Sequence, residues 1–125
     1  MSYNLEFYNK HGQLIQLDEV HQFAGGTCQL GGTAQAWLNV TYNYGKFYRD
    51  IFGPEGLQSL YGKTAKELIP ILQRAINVLV PANNTRGIYR DDNYWAATAE
   101  NAAAALSDLL SIAKLCPPES ILTGG

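Results

Sequence analysis

The chain has 125 residues, 46% hydrophobic and only 16% charged, with a formal net charge of −2 at pH 7. That length suffices for one domain with a buried apolar core and needs neither disulfide nor metal to hold it; the composition excludes a disordered chain. Nine Lys and Arg against eleven Asp and Glu lack the basic excess that a phosphate backbone demands, so direct DNA binding is not expected.

The small charged fraction leaves much of the surface to neutral polar groups, a composition that points to a homo-oligomer. Cys28 and Cys116 lie far apart with no CxxC or His-rich companion, which predicts buried thiols and neither a zinc site nor a redox pair. No cofactor is expected. MSYNLEFYNK lacks a charged region followed by an apolar run, and no stretch reaches the roughly eighteen apolar residues of a membrane span. The expectation is a cytoplasmic protein with no membrane partner.

In chain order, Tyr3, Leu5 and Phe7 alternate with polar residues as one face of a strand does. Asn9-Lys10-His11-Gly12 reads as a turn, and QLIQLDEV as the strand returning from it, a hairpin with glycine where a positive φ is needed. The near-repeat GGTCQL-GGTAQA from residue 25 has the glycine spacing of a phosphate-binding loop, but Gly32 stands where the lysine belongs and a strand follows where a helix should open. Paired turns around a short TCQL strand are the better reading. QAWLNVTYN, with Trp37, Asn39 and Thr41 alternating against Leu38, Val40 and Tyr42, is the next strand.

Beyond residue 43 the apolar period becomes helical. Pro54 opens a short helix that Gly62 closes. Thr64-Ala-Lys-Glu67 is a capping box ahead of Leu68, Leu72, Ala75, Ile76 and Leu79, with Pro70 early in that helix and Pro81 just past it. Asp92 is the expected cap of a last helix through Trp95, Ala99, Ala102, Leu106, Leu109 and Ala113, ended by Pro117-Pro118. Ala102 to Ala105 let another backbone approach closely, either a neighbouring helix of the same chain or a second subunit. ESILTGG is expected to be loose. Strands before helices give an α+β fold: strand-rich 1–42, helix-rich 43–116, a tail 117–125, with a small antiparallel sheet covered on one face by two main helices and one or two short ones.

No catalytic constellation emerges. His11 and His21 sit at a turn and beside a loop, and G-x-S-x-G is absent, so both histidines are expected to be solvated and the protein is expected not to be an enzyme. Asp91-Asp92 lacks the further oxygen ligands of a calcium loop. Two segments do carry binding groups. In Tyr42-Asn43-Tyr44-Gly-Lys46-Phe-Tyr-Arg49-Asp-Ile-Phe52, at a junction of strand and helix, Tyr faces can stack a base while Lys46 or Arg49 pairs a phosphate. The competing reading makes Tyr42, Phe47, Ile51 and Phe52 core, with Lys46 and Arg49 reaching past them to water. In the second segment, residues 83–95, Arg86, Tyr89, Arg90, Tyr94 and Trp95 have the composition of a binding hot spot on a loop; otherwise the segment is a solvated connector anchored by Trp95.

NVTYNYGKFYRDIFG, GLQSLYGKTAKELIPILQRAINVL and DDNYWAATAENAAAALSDLLSIAK together resemble a group of small proteins carried by bacteriophages and their hosts. The resemblance covers residues 39 to 115, with Tyr-Asn-Tyr-Gly and Asp-Asn-Tyr-Trp as its specific parts. It implies no activity or catalytic residue, only a setting in which compact accessory proteins counter a host defence by blocking a protein or sequestering a nucleotide signal. The expected function is non-enzymatic capture of a small nucleotide by Tyr42, Asn43, Tyr44, Lys46, Arg49, Arg86, Arg90, Tyr94 and Trp95. The alternative is an inhibitor that docks on a host protein through the same aromatic and arginine surface.

Overall fold

A computed structural model of the chain describes residues 2–23, 32–81 and 96–125. Strand β1 (Ser2–Tyr8) follows the alternation of its sequence, with Leu5 and Phe7 buried and Asn4 exposed. Its register sets the face of the sheet. Tyr3 lies opposite Val40 and Leu5 opposite Leu38 on β4 (Trp37–Thr41), while Phe7 lies opposite Leu122 on β5 (Ile121–Gly124). All five aliphatic and phenyl side chains in that set are buried. The antiparallel sheet, ordered β4-β1-β5, therefore presents one apolar face to the helices.

The expected hairpin after β1 exists only at its tip. Asn9 Oδ1 accepts from the backbone N–H of His11 and Gln13, Gly12 takes a φ of 74°, and Tyr8 bridges to Leu14. From there the chain leaves, because Gln16, Asp18, Glu19 and Val20 of β2 (Gln16–His21) are exposed and the strand brings little apolar surface to the core. β2 pairs instead with β3 (Thr33–Gln35) in a separate two-stranded sheet, and β4, carrying Leu38 and Val40, takes the place beside β1. His21 is buried, contrary to the solvated histidine expected: its ring bonds to the Gln35 carbonyl oxygen at 2.7 Å and stacks on Phe23. His11 is exposed. The TCQL strand and its turns fall on residues 24–31, outside the described residues.

Helix α1 (Gly45–Phe52) follows β4 after one 3-10 turn, Tyr42–Tyr44. A second 3-10 turn, Gly56–Leu60, is the short helix expected after Pro54. α2 (Ala65–Leu79) begins with the expected capping box, the Thr64 hydroxyl accepting from Glu67 N–H and the Glu67 carboxylate accepting from Thr64 N–H. α3 (Ala99–Leu115) starts later than expected: Thr98, not Asp92, is its cap, with its hydroxyl accepting from Asn101 N–H at 3.1 Å. Asp92 and Trp95 lie outside the described residues. α2 packs along α3, and Ala102 to Ala105 are all buried, which decides in favour of packing within the chain.

The tail is not loose. Residues 121–124 form β5, where Leu122 is fully buried and exchanges backbone bonds with Gly62 and Lys63 on the side away from β1. Ile-Leu-Thr has the branched and apolar character of a strand, and the free edge of β1 supplies its partner. Strands, helices and both 3-10 turns contribute to one hydrophobic cluster, so the architecture is α+β as composition and order of elements implied. Among the described residues no helix is long and apolar enough to cross a membrane.

Candidate functional site

Where β4 runs into α1, Thr41 sets the direction of the chain. Its backbone is extended, and its hydroxyl accepts from Asn43 N–H at 3.3 Å, which stops the strand and winds the next three residues into a 3-10 turn. Tyr42 is thereby turned outward and stays 41% exposed, while Tyr44, two residues on, is fully buried. The Tyr42 ring meets the Tyr3 ring of β1 edge to face, with centroids 4.5 Å apart and an interplanar angle of 70°. That geometry suits the quadrupoles of two aromatic rings and holds Tyr42 in place while leaving part of it open to solvent.

Arg49 lies one helical turn beyond Gly45. Two glycines make room for it. A Cβ on Gly45 would fall 2.9 Å from Arg49 Nη1, and one on Gly56 would fall 3.3 Å from Arg49 Cγ. Gly56 needs glycine on conformational grounds as well, since its φ is 59° in the tight turn that brings the second 3-10 segment back under α1. The same turn delivers Pro54, Glu55 and Gln58. With Tyr3, Tyr42 and Arg49 they line a cleft of about 450 Å³, a size that admits a small organic ligand.

The chemistry of the cleft is mixed. It offers the open part of an aromatic ring, one guanidinium, one carboxylate and one amide. Among the described residues no hydrogen bond or ion pair holds the Arg49 guanidinium, so its donors remain available to an incoming anion. Tyr61 is close enough to Tyr3 and Tyr42 to feel their hydroxyls. Its hydroxyl is buried and, among the described residues, has no hydrogen-bond partner; burial first, and then the neighbouring Tyr3 and Tyr42, raise its pKa above the ordinary phenol value.

Of the residues expected to bind ligand, Tyr42 and Arg49 come together in this cleft. Asn43 and Lys46 are exposed but do not line it. Tyr44 is a correction: with no exposed surface and its ring edge-on to Tyr48 at 6.3 Å, it belongs to the core and presents no face to a ligand. Arg86, Tyr89, Arg90, Tyr94 and Trp95 lie outside the described residues, as do Asp91 and Cys28. The competing reading of the 42–52 segment holds in part, because Phe47, Ile51 and Phe52 pack against the core. Sequence reasoning missed Tyr3, Pro54, Glu55, Gln58 and the two glycines. Tyr3 carried a usable signal, since it ends the apolar face of β1 and so marks the rim of the sheet.

A larger hollow of about 710 Å³ lies between the β1–β2 turn and the end of α3, where Gln13, Asp18, Leu115 and Cys116 are among its lining. Among the described residues no Lys or Arg lines it, and burial pushes the Cys116 thiol up to about 12, so this thiol is protonated and inert near neutral pH. An anion is better served by the Arg49 cleft. Among the described residues no cluster of His, Cys, Asp and Glu is placed to hold a metal ion. No family model matches the chain, and no curated protein or solved structure is significantly similar to it.

Proposed function

We propose that this is a non-enzymatic binding protein that captures a small nucleotide in the cleft between Tyr3, Tyr42 and Arg49. The observation that supports it is the meeting of two chemically distinct groups in one cleft: an exposed, edge-braced Tyr42 ring and an Arg49 guanidinium without an ion pair among the described residues. A base can lie against the first, and a phosphate can take two parallel N–H bonds from the second. Glu55 and Gln58 supply acceptors and donors for sugar hydroxyls or the edge of a base. The remaining lining residues add shape, so the arrangement favours retention of a ligand over chemistry upon it.

In this reading the protein is an accessory factor of the phage kind, working in the host cytoplasm and self-associating, with sequestration of a nucleotide signal as its effect. Thermal melting against AMP, GMP, cyclic AMP and a cyclic dinucleotide tests it. A ligand at one hundred times its dissociation constant stabilises by about 2.7 kcal/mol, and Arg49→Ala should abolish that shift without lowering the unliganded melting temperature. Absence of a shift with every nucleotide contradicts the proposal. The exposure of Tyr42 and Arg49 at the protein surface also suits docking on a host protein, which a stable complex lost in Arg49→Ala, without any nucleotide shift, would favour.

A further inference from the structure

Gly45 is a glycine whose backbone does not call for one. Its φ of −55° and ψ of −38° are ordinary right-handed helix, where alanine is the better residue. Space gives the reason. Outside its own stretch of chain, a Cβ built there meets the Arg49 guanidinium first, Nη1 at 2.9 Å, and then the Tyr3 hydroxyl at an ordinary 3.5 Å and Arg49 Cζ at 3.8 Å. The fold itself therefore has room for a methyl group at position 45; only the end of the Arg49 side chain does not. Arg49 Cγ rests against Gly56 at the same time, so the stem and the head of one arginine each lie on a glycine, and Arg49 lines the cleft with Tyr3 and Tyr42.

We infer that Gly45 is a positioning residue, whose missing side chain seats the Arg49 guanidinium at the point in the cleft where it receives the phosphate of a nucleotide. This rests on the nucleotide reading above, in which Arg49 meets the phosphate, and adds to it what fixes Arg49 there. A flexible arginine left in water would pair a phosphate from many directions and lose rotamer freedom in doing so. Seated on Gly45, it is already placed before the ligand arrives.

The test compares AMP with adenosine, and GMP with guanosine, by calorimetric titration of the wild-type protein, Gly45→Ala and Arg49→Ala. Wild type should bind the phosphorylated member of a pair about tenfold or more tightly, the usual scale of a charge-assisted bond. Gly45→Ala should keep the affinity for the nucleoside and lose most of the preference for its phosphate, while melting at or above the wild-type temperature. A merely structural role would lower the melting temperature and weaken nucleoside and nucleotide alike. A phosphate preference lost in Arg49→Ala but unchanged in Gly45→Ala overturns the seat while leaving nucleotide binding intact. Failure of every probe to bind wild type overturns both.

Discussion

Tyr42 and Tyr44 stand two residues apart, and a single 3-10 turn sends one ring to the solvent and the other to the core. Their substitutions should separate accordingly. Tyr44→Ala empties a fully buried aromatic site and should cost about 3–5 kcal/mol in urea unfolding, whereas Tyr42→Ala should cost less than about 1 kcal/mol and instead weaken nucleotide binding. Equal losses of stability at the two positions would contradict the assignment. The sequence showed aromatics at helical spacing through residues 42–52 but not the phase of that spacing, because the phase depends on the hydroxyl of Thr41 closing on Asn43 N–H. Arg49 was legible as a cation among aromatics. Gly45 was not, since its reason is a contact with a side chain rather than a backbone need.

At the scale of elements, local chemistry was readable wherever it is enough to define a structure. The capping box at Thr64 stands as its four-residue pattern implied, and Thr64→Ala should destabilise the fold by about 1 kcal/mol. Its pH dependence follows from Glu67, whose carboxyl is held below its ordinary value of 4.5 by the backbone N–H of Thr64 and then by the Thr64 hydroxyl. A carboxyl depressed in the folded state stabilises fully above its unfolded value and loses that contribution as pH falls through the folded one. Thermal melts of wild type should therefore decline through the acid range below about pH 4.5 more steeply than those of Glu67→Gln, and parallel curves would contradict the box. Where partners are distant the sequence was silent. β2 has the alternation of a strand but not the apolar face that β1 needs, and β5 is a strand only because β1 has an open edge for it. The start of α3 at Thr98 was missed because Asp92 and Thr98 are both acceptable caps by residue type.

For the whole molecule, the order of elements and the single apolar face of the β4-β1-β5 sheet fix the α+β architecture, and that architecture places the cleft. Tyr3 comes from the first strand, Tyr42 and Arg49 from the junction after the fourth, and Glu55 and Gln58 from the turn that follows. Tyr42 and Arg49 were legible as one aromatic and basic segment; Tyr3 depends on β1 pairing with β4 across residues 9–36, a pairing no local pattern announces, and Glu55 and Gln58 depend on the turn that follows α1. The most direct measurement is a nuclear magnetic resonance titration of the protein with AMP and GMP, following the Arg49 Nε–H and the ring protons of Tyr3 and Tyr42. These signals should shift most and saturate together. Nucleotide-induced shifts confined to other parts of the protein, or none at all, would contradict it.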